Sequence, residues 1–469
     1  MDDTPAAAEG RALRSALPRS AHAELALPDD RDPIAILEEQ HTSRLAGLIP
    51  TRIGRMLQSP FAYYRGTAAV MAADLAAGPE TGIHVVSCGD AHVSNFGFFA
   101  SPERTLIFDL NDFDEAGIAP WEWDVKRLAG SVHIGGRDVG MDEDDCRSAT
   151  ALAVAAYRES LRELMELSAL DRYYYRVDAD RVRDMVQGKV TRKAVDKART
   201  RTSDRLLDRI AVRDEGGGGL RIVDEPPIAR HVEHATLDQI ESLYRQYLST
   251  LREDTAWLLT QFRPVDFILR IVGVGSVGTR CYVIALEGPA GEVLFLQAKE
   301  AQPSVLTTYG GMPSVITDGP EGAVRSEGHR VVAGQRILQA QSDPFLGYIV
   351  GFAGERREHD HRRVDYYWRQ FRDMKGSIDP GQLDGERFAA YGELCGRLLA
   401  RAHGQSPGAA AVAGYLGGGD RFDEAVADWA AAYANVCLED YENLRAAVRS
   451  GRLPADTEPD DQGPLTPVR

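Results

Sequence analysis

The chain has 469 residues, with 54 Lys plus Arg against 71 Asp plus Glu and a formal net charge of −17, which argues against general nucleic-acid or anionic-membrane binding. That length exceeds what one hydrophobic core usually serves, so two packed lobes are expected. Five scattered cysteines, Cys88, Cys146, Cys281, Cys395 and Cys437, form no C-x-x-C pair and read as free thiols. The start lacks a basic segment leading into an apolar run, and no stretch reaches bilayer length, so a cytoplasmic protein with no membrane partner is expected.

In chain order, residues 1–44 are rich in Ala, Arg, Pro and Asp without a sustained period and read as a loosely ordered arm. "SPFAYYRGTAAVMAADLAAGPETG" reads as a helix from its Ser-Pro start to its Gly-Pro stop. "IHVVSC" and "TLIFDL" read as two strands forming a hairpin around the turn 90–95. "WEWDVKRLAGSVHIGGRDVG" and residues 144–175 read as helices. The basic segment 181–209 reads as a solvated helix face, "DEGGGGL" as a flexible loop, and "LDQIESLYRQYLSTLREDTAWLLTQF" as one more helix.

The texture then changes. "VDFILRIVGVGSVGTRCYVIALEGPAGEVLFLQAKEA" reads as strand, glycine loop, strand, hairpin turn at 288–291 and a third strand carrying Lys299. "GERFAAYGELCGRLLARAHG" and "RFDEAVADWAAAYANVCLEDYENLRAAV" return to helix, and residues 451–469 read as a disordered tail. The expected organisation is an arm (1–44), a helical lobe (45–261), a β-rich lobe (262–375), C-terminal helices completing the large lobe (376–450) and the tail.

The chemistry concentrates in "CGDAHVSNFGFFASPERTLIFDLNDFDEA". Carboxylates and amides there lie among phenylalanines, and buried carboxylates are costly unless a cation meets them. Asp90 and Asn95 share one turn, and Asp112 opens "DFDEA" at a strand end. The bland account is a polar turn whose aspartates satisfy backbone amides. A dinuclear metallohydrolase is another, but the remaining histidines show no matching constellation. "GVGSVG" brings Gly273, Gly275, Ser276 and Gly278 into a turn between strands, not at a helix start as in a dinucleotide fold. Lys299 in an apolar strand needs an anion.

This arrangement resembles the protein-kinase-like superfamily, in particular the aminoglycoside and choline kinase branch with its "H-G-D-x-H-x-x-N". The resemblance implies Asp90 as proton acceptor, His92 orienting the loop, Asn95 and Asp112 as Mg²⁺ ligands, and Asp124 capping the loop backbone. It gives Lys299 two partners, the phosphates of ATP and a glutamate on the next helix, for which Glu327 is preferred over Glu300 and Glu321. Cys88 stands where that superfamily usually has His. The order is inverted, Asp90 preceding Gly273, so the implied fold is circularly permuted. From "SPFAYYRG" to "FDEAVADWAAAYA" the sequence also closely resembles a bacterial family catalogued as domain of unknown function 2252.

The expected fold is therefore α+β, two-lobed and protein-kinase-like. The expected function is Mg-ATP-dependent phosphoryl transfer to a hydroxyl of a small molecule or, second, a protein. The alternatives are nucleotidyl (AMP) transfer with ATP reversed, a non-catalytic nucleotide-binding regulator, or a metal-dependent hydrolase. "RQFRDMKGS" reads equally as a hinge, an anion clamp or an exposed charged turn.

Overall fold

The computed structural model describes residues 4–201, 203–214, 219–226, 228–232, 236–271, 273–314, 316, 326–352 and 363–456. It is a mixed α+β structure. The strands are β1 (His84–Ser87), β2 (Phe96–Ala100), β3 (Leu106–Leu110), β4 (Gly117–Pro120), β5 (Ala211–Asp214), β6 (Gly219–Ile222), β7 (Ala229–Arg230), β8 (Arg263–Arg270), β9 (Cys281–Glu287), β10 (Val293–Ala301), β11 (Gly347–Phe352) and β12 (Arg363–Gln370).

The antiparallel sheet β11-β12-β10-β9-β8-β7 holds the second motif. Alternate residues of its strands serve two apolar clusters, as the period of two requires. Phe267, Leu269, Tyr282 and Ile284 face the helices Leu237–Leu248 and Glu253–Leu259. Ile268, Val283, Ala285 and Phe295 face the helix Ser203–Ile210 and the β5–β6 hairpin. Residues before 262 thus pack on the sheet, and the expected lobe boundary falls inside one unit. The stretch expected as a single helix before it breaks between residues 248 and 253.

A larger core joins the helices Trp121–Asp138, Glu143–Glu166, Gly385–His403 and Arg421–Arg449. The chain comes to it from both sides of the sheet. The expected hairpin between "IHVVSC" and "TLIFDL" is corrected: β1 pairs with β4, and β3 pairs with β2. "FGFFA" continues the polar turn directly as a strand, and its apolar side chains find their partners in β3. The helix expected from Ser59 is two, Pro60–Gly66 and Ala68–Ala76.

The N-terminal segment is not a loose arm. Its helix Pro5–Leu13 lies against the helix Ala409–Leu416 so closely that a Cβ on Gly10 would sit 1.9 Å from Ala411 O. Small residues pack by close approach, which leaves no strong apolar period to read. Arg14 and Arg19 then cap that partner helix, donating to Tyr415 O (2.7 Å) and Leu416 O (2.5 Å). Arg31 bridges Asp74 and Asp440 with four hydrogen bonds of 2.5–2.9 Å. Of the expected tail, residues 457–469 lie outside the described residues, while Leu453 is buried. All five cysteines are free and buried. Among the described residues no helix is long and apolar enough to cross a membrane.

Candidate functional site

Asp124 stands in the first turn of Trp121–Asp138 and accepts the amides of Cys88 (2.8 Å) and Gly89 (3.0 Å). His403 Nε2 lies 3.2 Å from the same carboxylate, and its Nδ1 meets Tyr157 OH at 2.8 Å. An imidazole from the helix Gly385–His403, 279 residues beyond Asp124, thus stands behind the turn that Cys88 opens.

The loop so fixed presents Asp90. Burial raises its carboxyl, opposed by Arg127, whose Nε donates to Oδ1 at 2.8 Å. His92 is buried, which holds it well below its usual value and neutral; its Nδ1 accepts Ser94 N, and its Nε2 lies 3.7 Å from Asp90 Oδ2. Asn95 Nδ2 donates to Asp90 O at 2.7 Å, and its Oδ1 accepts no hydrogen bond among the described residues.

After β3 the chain turns through Asp112, whose Oδ1 accepts Asp114 N at 3.2 Å. Lys299 comes to this turn from β10. Its Nζ donates to Asp114 Oδ2 and, at 2.9 Å, to Ser276 Oγ, while Tyr367 OH donates to Asp114 Oδ1 at 2.8 Å. Burial is the largest influence and works against both charges, but the partner together with Tyr367 and the neighbouring charges outweighs it: Lys299 is raised, Asp114 is lowered. The glycine turn is shaped by Gly273 and Gly278, with φ of 71° and 93°. Arg55 Nη1 fixes it by donating to Gly273 O at 2.6 Å.

Glu327 does not meet Lys299. It accepts Arg330 Nε at 2.5 Å, and Arg330 in turn donates to Asp114 O, Ala116 O and Gln302 O. Asp114, delivered by the loop after β3, occupies the anionic place expected for the helix glutamate. Glu300 pairs with Arg280 at 3.2 Å, and Glu321 lies outside the described residues.

Asp90, Asp112, Gly275 and Ser276 line a small cavity of about 70 Å³. Asn95, Asp112, Gly273, Ser276 and Lys299 line a neighbour of about 340 Å³. Arg65 borders both, and with Ser94 a third of about 410 Å³, whose wall includes Lys189, Lys193 and Lys197 of the basic segment. Those lysines are exposed, as a solvated face requires, yet the face shares a cavity with Ser94 of the turn 90–95. The site suits a Mg²⁺ shared with phosphate: Asn95 offers a free amide oxygen and Asp112 a carboxylate on one cavity, and such an ion takes the rest of its shell from phosphate and water.

The profile of a family described as "Uncharacterized protein conserved in bacteria (DUF2252)" matches residues 44–447. The chain belongs to that family. No curated protein and no solved structure matches it significantly. In this DUF2252 chain the sequence reading missed Arg65, Asp114, Arg127, Tyr367 and His403. Asp114 had a signal, as the second aspartate of "DFDEA" beside a lysine in need of an anion; the others are joined to the site by contacts too long-range for local pattern to reveal.

Proposed function

We propose that the chain is a Mg-ATP-dependent phosphotransferase acting on a hydroxyl group, of a small molecule in preference to a protein. One observation carries the reading. Lys299, Ser276 and Asp114 form a hydrogen-bonded cluster that joins the glycine turn to the loop after β3, on the cavities bordered by Asp90, Asn95 and Asp112. Protein kinases combine a glycine-rich loop, a lysine on the third strand, a metal-holding aspartate, and a catalytic-loop aspartate and asparagine. Here the glycine turn joins β8 to β9, and Lys299 stands on the third strand of the meander β8-β9-β10. The inverted motif order makes the fold a circular permutation in this reading, which convergence of the lobes permits.

Asp90, made more basic by burial, takes the proton of the acceptor hydroxyl. Arg127 holds that carboxylate in place, and Asp124 with His403 holds the turn. Asn95 and Asp112 would bind Mg²⁺, which when bound neutralises charge on the phosphates. Lys299 and the amides of the glycine turn hold the phosphates from the other lobe. A nucleotide-binding regulator has no use for a proton acceptor at Asp90. A dinuclear hydrolase needs several converging ligands, and among the described residues no group of three His, Cys, Asp or Glu side chains is placed for one.

A second reading, nucleotidyl transfer, is favoured by the positive charge of Arg369, Arg372 and Lys375, which line the same cavity as Asp112 and Lys299. A reversed triphosphate would place its α-phosphate at Lys299. Calorimetry should show ATP binding that depends on Mg²⁺; no affinity at millimolar ATP, with or without the metal, overturns both readings. With an acceptor in hand, labelled γ-phosphate on the product supports phosphoryl transfer, and labelled adenosine supports the second.

A further inference from the structure

The segment "RQFRDMKGS" has no part in the phosphotransfer roles above, yet it lines the cavity of Lys299. Arg372 and Met374 have φ of 58° and 47°, uncommon for residues with a Cβ, and the turn is held by Met374 N donating to Arg201 O (2.7 Å) and Arg201 Nη1 to Lys375 O (2.8 Å). Backbone strain of this kind persists where the surroundings enforce it and clusters at ligand clamps. Two guanidiniums share one ring in the turn: Arg270 and Arg372 lie 5.8 and 5.2 Å from the centroid of Phe371.

The charge balance is one-sided. Arg201, Arg270, Arg369, Arg372 and Lys375 border the cavity beside Lys299, whose ammonium is already paired with Asp114, and among the described residues Asp112 is the sole carboxylate lining it. The carboxylate nearest Arg270, Glu225, stands 4.0 Å away. Asp373 turns outward to Arg104, and Asp343 is engaged by the amides of Phe345 and Gln370. Arg372 and Lys375 form no ion pair among the described residues. Burial and the neighbouring cations lower both, Arg372 to about 9 and Lys375 to about 7. Cations gathered out of water repel one another until an anion joins them.

We propose that the turn 371–375, with Arg270 and Arg369, is a phosphate-binding subsite, and that the ligand of this cleft carries a chain of phosphates running between Lys299 and the turn. Lys299 lies opposite Tyr367, and Arg369 follows two residues along β12, a backbone step of about 7 Å; the turn lies further on. The cations thus follow one another along a single cavity, which a chain of phosphates meets at more than one point. Guanidinium groups suit phosphate because they donate paired hydrogen bonds. Both a nucleoside triphosphate and inorganic tripolyphosphate have this chemistry. Only the naming of ATP as donor rests on the phosphotransfer reading.

The test measures affinities of the full chain for ATP, tripolyphosphate and orthophosphate, and of Arg372→Ala and Lys375→Gln for the same three. The wild type is expected to bind tripolyphosphate within about tenfold of ATP and orthophosphate at least a hundredfold more weakly. Either variant should lose at least tenfold in tripolyphosphate affinity, while its ligand-free melting temperature stays level or rises because repulsion is relieved. Lys375→Gln keeps the test open if Arg372→Ala fails to fold. Wild-type affinity for tripolyphosphate in a folded variant overturns the subsite, as does binding of ATP without binding of tripolyphosphate. Tripolyphosphate binding that both variants weaken, in a protein that transfers nothing from ATP, upholds the subsite and removes the phosphotransfer reading alone.

Discussion

Lys299 and Asp114 are the residues on which the two motifs meet, and each depends on the other. Removing the ammonium leaves Asp114 facing Tyr367 and Ser276 with no counter-charge. Lys299→Ala is therefore expected to lower stability by about 3 kcal/mol, the usual scale for breaking a largely buried pair, besides weakening ATP binding. Lys299→Ala with Asp114→Asn should recover most of that stability but not the affinity; urea denaturation of single and double variants checks it. Asp90→Asn and Asp112→Asn should part company. Loss of the proton acceptor should cut turnover by roughly a hundredfold to ten-thousandfold with ATP affinity near wild type, whereas Asp112→Asn should also weaken the Mg²⁺-dependent share of binding. Equal loss of ATP affinity in both would make Asp90 a metal ligand. Away from the site, burial pushes Glu122 up to about 7 against 4.5 in the unfolded chain, and its Oε2 has no partner. Because the unfolded chain gives up this proton first, the group lowers stability as pH rises from about 4.5 to 7, and no further above that. Glu122→Gln should be more stable than wild type at pH 8 by up to about 3 kcal/mol and equal to it below pH 4; melts across that range measure the difference.

At the level of elements, the meander β8-β9-β10 was legible because an alternating apolar pattern, a glycine turn and a lone lysine are all local signals. So was the helix start that carries Asp124, read from "WEWDVKRLA", while the capping role of Asp124 came with the family resemblance. The pairing around the turn 90–95 was not. β1 and β3 look like neighbours along the chain, yet each takes a partner, β4 and β2, that local pattern gave no reason to choose. Glu327 failed for a related reason: a helix after the lysine strand is visible in sequence, but not which loop reaches the ammonium first. His403 left no sign, since its meaning lies in a contact with Asp124 across the fold. Gly89 shows how tightly the turn is set. Its φ is 76°, and a Cβ there would come within 2.3 Å of Glu115 O. Gly89→Ala should cost about 1–3 kcal/mol through strain and displacement of the "DFDEA" loop. A variant with unchanged melting temperature and unchanged nucleotide affinity would show the turn to be more yielding than this geometry allows.

For the molecule as a whole, the family match begins at residue 44, but the packed structure does not. His22 is fully buried against Tyr415, and Arg31, in the connection before the helix Pro33–His41, neutralises Asp74 and Asp440. A chain starting at residue 44 should melt well below the full protein, with the two carboxylates left to repel each other at a cost of about 3 kcal/mol. Arg31→Met alone should reproduce much of that loss; equal melting temperatures would mean that the segment only rests on the surface. The Arg31–Asp440 bridge also joins residues 409 positions apart. On a ribosome adding about 5–20 residues per second, Arg31 is made roughly 20–80 s before its last partner exists. Through that interval the turn 90–95 has no His403 behind it, and the helix Trp121–Asp138 lacks its neighbour Arg421–Arg449. The nascent N-terminal half must stay unlocked until synthesis is nearly over, so the order of translation delays assembly of the large core until its last helix has emerged.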